Sequence, residues 1–449
     1  MNSNFKVGYS KAVITPPMGI EIAGYFVERI ADGVLDDLEV VSVALSDGKN
    51  TVILMTIDHC GLVKEVLTPI REAISEKTGV PADAIFIHST HTHTGPKVLA
   101  ETDDVLINEY RVFLMRKCVD VATFSLEDLK PAKMGYAIGR APNISFIRRY
   151  KMKDGSIKTN PGVNNPDIVE PVGEVDERVN VLRFDRENAE TVVLVNFGDH
   201  PDTIGGNKIS GDWPTLTRKF VEKSIDNSKC ILFNGAQGDV NHVNVFPKGG
   251  DLNGMFMDFD DVSRGYSHAI HMGRVVAGAV MQVYEKVNYV DVNEIRYIQK
   301  LVDIPSNKPN PEDLPLAHKY NDLHLAGRDD LIPFKAMMLT TVVAEAGRMV
   351  RLENAPDYFP MLFSAVKIGN VALFGIPGEP FNGIGMGLKE TEGYDLILPC
   401  CITNAYEGYF PMQDSYDEGG YEARSSNFKA GVAEKIIEEG KKILSELKN

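Results

Sequence analysis

Short apolar runs, each followed by a loop rich in glycine, proline or histidine, constrain the fold of this 449-residue chain most strongly. Runs such as 84–87 and 230–233 have the length of buried strands, and they alternate with helical patterns such as 107–122. The stretches 40–54 and 179–197 instead carry the turn residues of β-hairpins. Hairpins do not occur in a uniformly parallel sheet, so the pattern predicts an α/β fold with a large twisted mixed β-sheet flanked by helices.

The rest of the chain continues the same mixture. Helical spacing predicts helices over 67–77, 216–225, 265–287 and 334–352, strands near 363–366 and 371–376, and an amphipathic terminal helix over about 428–447. No internal repeat or long linker divides the sequence. We therefore expect a single domain that spans residues 1–449.

Charge and cysteine usage exclude several classes of function. The 47 basic residues are outnumbered by 63 acidic ones, which gives a net charge of −16 and argues against nucleic acid and anionic membrane partners. No run approaches the roughly 18 apolar residues that span a bilayer, so no membrane anchor is expected. The N-terminus lacks a signal-peptide pattern and the five cysteines show no CxxC spacing, so we expect reduced thiols and a cytoplasmic protein.

Three of the ten histidines fall within the segment His88–His93, directly after a predicted buried strand. In an extended chain residues two apart point to one face, so His91 and His93 are expected to face one cleft. Neutral imidazoles suit a cation such as zinc. The alternative is a polar strand end with solvated histidines, but the clustering favours metal binding or catalysis.

Two other loops after strands carry polar side chains. His200 lies among carboxylates at the end of an apolar strand, which suits a metal ligand or, alternatively, a capping or core residue. The loop 233–242 contains Asp239, Asn241 and His242 between glycines that would let a ligand approach the backbone. A tight turn without chemistry explains those glycines equally well.

The last third of the chain holds two more candidates. Glu379 lies between Gly378 and Pro380, either as a functional carboxylate or as an acidic residue near a helix N-terminus. Four tyrosines, among them Tyr409 and Tyr421, fall within positions 406–421. They indicate either aromatic packing or phenol groups in a site.

Together these segments resemble, in order, the motifs of the neutral/alkaline non-lysosomal ceramidases, which are zinc amidases that split the N-acyl bond of ceramide. The 12-residue gap from Tyr409 to Tyr421 also matches that family's spacing. The resembling segments are 90–96 (THTHSGP in the family), 200–201 with 209–212 (its second histidine motif), 234–240 (NxGDVSPN), 377–379 (PGE) and 409–422 (YVTT…YEG).

The resemblance implies a large α/β catalytic domain and one zinc ion per chain. It implies that His93 and Tyr421 contact the substrate or its oxyanion, and that Arg148 or Arg149 matches a family arginine. Asp239 and Asn241 are further catalytic candidates, and His242 is a substrate-binding one. The implied zinc ligands are His91, His200, Glu379 and Tyr409.

The sequence departs from the family at two points. Asn241 stands where the family has the serine of GDVSPN, so an acyl-enzyme through that serine is not available. The chain also matches the catalytic domain alone, so we expect no C-terminal immunoglobulin-like domain. These differences, with the expected lack of a secretion signal, indicate a small soluble substrate in place of ceramide.

The leading hypothesis is a zinc-dependent hydrolase that uses a metal-activated water on an amide or ester bond of a small molecule. Two histidines and one or two anionic oxygens leave a coordination position for water. Iron or manganese are alternatives to zinc. A metal-dependent lyase or isomerase acting on a sugar derivative, and an inactive ligand-binding relative, are alternatives to hydrolysis. The sequence leaves the oligomeric state open, a homo-oligomer included.

Overall fold

A computed structural model describes residues 4–448. The strands are β1 (Lys6–Val13), β2 (Gly33–Val34), β3 (Glu39–Ser46), β4 (Thr51–Ile57), β5 (Ile85–Ser89), β6 (Lys130–Arg140), β7 (Phe146–Ile147), β8 (Arg149–Met152), β9 (Ile157–Thr159), β10 (Ile168–Pro171), β11 (Arg178–Arg186), β12 (Thr191–Phe197), β13 (Lys208–Ile209), β14 (Ser228–Asn234), β15 (Val240–Asn241), β16 (Phe256–Met257), β17 (Ser263–Arg264), β18 (Asn288–Val290), β19 (Ile295–Pro305), β20 (Tyr358–Ile368), β21 (Val371–Gly375), β22 (Glu379–Pro380), β23 (Leu396–Cys400) and β24 (Tyr409–Phe410). Most paired strands are antiparallel, but five pairs within these residues are parallel, and three of the five (β4–β5, β12–β14 and β21–β23) carry the loops of interest.

Ten α-helices connect and cover the strands, and none within residues 4–448 is both long and apolar enough to cross a bilayer. The helices are α1 (Lys64–Thr78), α2 (Val105–Glu127), α3 (Asp212–Ser224), α4 (Tyr266–Val283), α5 (Leu314–Leu325), α6 (Ala336–Leu352), α7 (Asn382–Lys389), α8 (Asp414–Glu418), α9 (Tyr421–Ser425) and α10 (Val432–Lys448).

The large sheet has nine strands in the order β14-β12-β11-β6-β1-β3-β4-β5, with β18 also paired to β6. The pairs β12–β14 and β4–β5 are parallel and the others are antiparallel. The predicted large mixed sheet flanked by helices is therefore confirmed. Its hairpin β3–β4 pairs Ser46 with Thr51 across the predicted turn.

A second sheet, β19-β20-β21-β23, packs against one face of the large sheet. The shared core joins residues such as Phe86 and Phe233 of the large sheet to Leu373 and Leu398 of the small one. Helices α1 to α4 cover the other face of the large sheet, and α7 and α10 cover the outer face of the small sheet. The layers therefore run helix, sheet, sheet, helix.

The large sheet curls so that the carboxyl ends of its two edge strands, β5 and β14, meet. The backbone N–H of Asn234 donates to His88 Nε2 over 2.9 Å. The second sheet joins the same place, because the N–H of Cys401 donates to the carbonyl of Asn234 and the N–H of Asn404 to that of Ile87. Loops that follow strands of both sheets therefore converge, as expected at the carboxyl ends of parallel strands.

Candidate metal centre and active site

Three predicted metal ligands meet at this convergence, each shortly after the end of a different long strand. His91 follows β5, His200 follows β12 and Glu379 follows β21. All three side chains are about 1% exposed. The His91 and His200 Nε2 atoms are 3.2 Å apart, and Glu379 Oε2 lies 3.3 Å from the first and 3.6 Å from the second.

These separations fit a tetrahedral zinc ion. Ligand atoms about 2.0–2.1 Å from zinc at the corners of a tetrahedron lie roughly 3.3 Å from one another. Glu379 Oε2 accepts no hydrogen bond within residues 4–448, which leaves a buried anionic oxygen turned toward the two imidazoles. His91, His200 and Glu379 therefore form a donor set that suits zinc in both geometry and chemistry.

Each donor is held from its far side. His91 Nδ1 bonds the carbonyl of Cys60, and His200 Nδ1 lies 3.4 Å from the carbonyl of Gln237. The Tyr406 hydroxyl donates to Glu379 Oε1 over 2.7 Å. Such outer contacts are usual around metal ligands because they fix the tautomer and orientation of each ligand.

Burial and neighbouring charges together set the protonation of the cluster. Burial, together with the charges of Arg148 and His91, lowers the pKa of His200 to about 3, so its imidazole is neutral. Burial alone would raise the pKa of Glu379, but the neighbouring charge of His91 outweighs it and lowers that pKa to about 2. The buried carboxylate is therefore stable only with a positive charge beside it, which a protonated His91 or a metal cation supplies.

Tyr409, the fourth implied ligand, lies beside the cluster. Its ring stacks on that of His200 with 6.4 Å between centroids, and the Arg148 guanidinium lies 5.5 Å from the ring centroid. Burial and the charge of Glu379 raise the pKa of Tyr409 well above its usual value, although Arg148 opposes them. Its assignment as a ligand stays a prediction.

His91 and Glu379 open into a cleft of about 280 Å³, whereas His200 lines a smaller neighbouring compartment. His93 and Tyr421, the two residues expected to contact substrate, both line it. His93 Nε2 is 3.2 Å from His91 Nε2, and its Nδ1 is buried without a hydrogen-bond partner in the described chain. The other lining residues are Ala23, Gly24, Tyr25, Phe26, His59, Cys60, Gly61, His91, Lys97, Val98, Glu379, Tyr406 and Tyr409.

A smaller compartment of about 50 Å³ lies on the other side of His93 and Tyr421. Arg148 lines it, whereas Arg149 does not and instead bonds Ser415 and Glu418. Of these two arginines, which the sequence did not distinguish, Arg148 is the one that reaches the candidate site. Arg148 also donates to Glu422 over 2.7 Å, which places this arginine next to Tyr421 on α9.

Three predicted residues lie outside both compartments. Asp239 accepts from the N–H of Asn382, and Asn241 donates to Asn160, which lines the smaller compartment. His242 lies 3.3 Å from Asp202 and bonds the carbonyl of Ser263. Because none of the three lines the cleft or the smaller compartment, their roles in catalysis and substrate binding stay predictions.

Sequence reasoning did not assign roles to Tyr406, His59 or Cys60. Tyr406 belongs to the tyrosine cluster, but nothing in its spacing distinguishes it from Tyr409. His59 and Cys60 follow β4, the parallel neighbour of β5, so the strand-end pattern was the signal that they join the same cleft.

Comparison with known proteins supports the fold. The chain superposes on a neutral ceramidase from Pseudomonas aeruginosa with a TM-score of 0.73 and 14% sequence identity, covering 98% of this chain and 74% of that one. It superposes on a ceramidase complexed with C2 with a TM-score of 0.74 and 15% identity, covering 99% and 75%. The protein therefore has a ceramidase-like α/β fold. No family model matches the sequence, and no curated protein matches it at a significant level.

Proposed function

We propose that this protein is a zinc-dependent hydrolase that cleaves an amide or ester bond of a small substrate. The observation that carries the proposal is the convergence of His91, His200 and Glu379 Oε2 within 3.2–3.6 Å of one another at the wall of a cleft. When bound, zinc supplies a Lewis acid that polarises a carbonyl and activates water. The likeness in fold to ceramidases supports hydrolysis over other metal chemistry.

The cleft side chains are suited to stabilise the charge that develops on the substrate carbonyl oxygen. Burial raises the pKa of Tyr421, so its phenol keeps the proton that it would donate. Burial and the neighbouring His91 and His200 lower the pKa of His93, so its imidazole is neutral and carries one N–H. Losing one such donor typically costs roughly 3–4 kcal/mol of transition-state stabilisation.

The size and lining of the cleft favour a small polar substrate over ceramide. Its volume of about 280 Å³ is at the lower end of the range for small-molecule sites. Histidine, lysine and tyrosine side chains form much of its wall. A long-chain lipid would need a larger apolar surface.

Metal analysis and product labelling test the proposal together. The protein, purified without chelator, is expected to contain about one equivalent of zinc. A panel of small acyl amides and esters is then incubated in heavy-oxygen water, and hydrolysis would place the label in the product acid. Well under half an equivalent of any transition metal, or turnover without label in the acid, would contradict the proposal. Turnover of ceramide at a rate close to that of the small amides would contradict the assigned substrate size.

A further inference from the structure

We propose that Tyr406 is a positioning residue that turns Glu379 Oε2 toward the metal. This inference rests on the proposed metal site, but not on the reaction catalysed there. The Tyr406 hydroxyl donates to Glu379 Oε1 over 2.7 Å, which leaves Oε2 to face the imidazoles of His91 and His200. Without that bond the carboxylate is free to rotate about its last torsion, so neither oxygen would be held toward the metal.

Gly61 determines where the Tyr406 ring lies. A Cβ atom added at Gly61 would come within 2.8 Å of Tyr406 Cγ and 3.0 Å of its Cδ2, closer than carbon atoms pack. The glycine is therefore needed for space. Gly61, Tyr406 and Glu379 form a contiguous set, which we call the carboxylate support, in which the glycine admits the ring and the ring aims the carboxylate.

The carboxylate support holds Glu379 from its far side, as other contacts hold the two histidines. His91 and His200 are each held by a backbone carbonyl, of Cys60 and Gln237. Glu379 is instead held by a side-chain hydroxyl, which can be deleted without moving the backbone. Removing an outer contact of this kind typically weakens metal binding by 10–100-fold.

Zinc affinity of four single variants tests the role of Tyr406. Tyr406→Phe keeps the ring and removes only the hydroxyl, and Gly61→Ala keeps the hydroxyl and displaces the ring. Tyr394→Phe is the matched control because its hydroxyl donates to the carbonyl of Leu444 in a different part of the fold. Gly278→Ala is the control for added volume, since its Cβ would meet open space.

Affinity is measured by competition with a chromophoric chelator, and the stability of the metal-free proteins by thermal unfolding. We expect Tyr406→Phe and Gly61→Ala to weaken zinc binding by roughly 10–100-fold while both controls keep the wild-type affinity. Metal-free Tyr406→Phe should unfold no earlier than metal-free Tyr394→Phe. The cobalt-loaded Tyr406→Phe protein should also show a changed visible spectrum, because its carboxylate no longer holds one orientation.

Unchanged zinc affinity and an unchanged cobalt spectrum in Tyr406→Phe would overturn the inference. So would a loss of affinity that merely follows a loss of stability in the metal-free protein. If the wild type binds no zinc, the proposed metal site fails and this inference fails with it. If the wild type binds zinc tightly but hydrolyses nothing, the proposed function fails and the affinity series still decides the role of Tyr406.

Discussion

His91 has a φ of +75°, a backbone conformation that residues other than glycine seldom adopt. The surrounding contacts hold it there, since its N–H donates to the carbonyl of His59 and its Nδ1 bonds the carbonyl of Cys60. Strain of this kind concentrates at functional sites because only a rigid surrounding maintains it. The sequence predicted from the alternation of an extended chain that His91 and His93 face one cleft, and both line it. The physical reason differs, because strand β5 ends at Ser89 and the turn at His91 orients the side chains.

The residue at the position of the family serine is expected to have little influence on rate. Asn241 donates to Asn160 and accepts from the N–H of Val243, and a serine there would keep the second contact only. We expect Asn241→Ser to change the rate by less than roughly tenfold, about 1.4 kcal/mol in barrier. Rapid-mixing kinetics with a chromogenic ester should show no burst in either protein. A burst of one product equivalent in the wild type, with a matching mass increase, would reveal a covalent route.

Cys60 is expected to be the single reactive thiol of the folded protein. It is half-buried and lines the cleft, whereas the other four cysteines are buried. Iodoacetamide should therefore add one carbamidomethyl group per folded chain, and none to a Cys60→Ser variant. Intact mass and peptide mapping measure the adduct. Modification of a different cysteine at the same rate would contradict the burial of the other four.

Asp239 should make the protein less stable as pH rises. Burial raises the pKa of its carboxyl to about 6, while an unfolded aspartate titrates near 3.9. Between these pH values the folded state binds more protons than the unfolded state, so the free energy of unfolding falls as pH rises. This loss of stability is complete above about pH 6 and amounts to at most about 3 kcal/mol. Asp239→Asn should thus exceed the wild type in free energy of unfolding at pH 7.5 and match it near pH 4. Equal differences at both pH values, measured by urea unfolding, would disagree with this account.

At the scale of secondary-structure elements, the sequence predicted the strands and helices that have a strong local pattern. The predicted strand 84–87 falls in β5 except for its first residue, and the predicted hairpin over 40–54 is β3–β4. The terminal helix was predicted from about 428 but begins at Val432, because Gly431 adopts a left-handed φ of +93° just before it. The long strand β19 was not predicted, since most of its residues are partly exposed and it lacks a buried apolar run. Pairing with β20 holds it in place.

The short helix α9, which begins with Tyr421, also lacks a local signal and depends on a buried ion pair. Glu422 accepts from Arg148 over 2.7 Å and from Thr159 over 2.8 Å, and its side chain has 0% exposure. Removing one partner leaves a buried charge, so Glu422→Ala should lower the free energy of unfolding by roughly 3–5 kcal/mol. It should also lower activity, because Tyr421 loses its support. Glu418→Ala removes a more exposed partner of Arg149 and serves as the control, with a smaller expected loss. Equal losses of stability in the two variants would show that burial does not increase the contribution of the Arg148–Glu422 pair.

For the whole molecule, the proposed metal site lies where the two sheets meet. His91 and His200 follow strands of the nine-stranded sheet, and Glu379 follows β21 of the four-stranded sheet. The motifs in the sequence predicted these three residues as ligands but not that they come from two stacked sheets, because the packing of one sheet on another has no local signature. A bound cation would therefore hold together parts of the fold that are far apart in the chain.

Zinc should stabilise the entire fold by mass action. A ligand that binds the folded state alone adds about 4.1 kcal/mol at a concentration 1,000 times its dissociation constant. We expect zinc to raise the midpoint of thermal unfolding and a chelator to lower it. Glu379→Gln should remove most of this dependence, because the amide keeps the shape of the carboxylate but carries no charge to attract the cation. His318→Ala is the control: this histidine lies on the exposed surface of α5 and pairs with Glu353 at the end of α6, so its loss should leave the zinc effect intact. A zinc-dependent shift that survives in Glu379→Gln, or that disappears in His318→Ala, would place the stabilising metal somewhere other than between the two sheets.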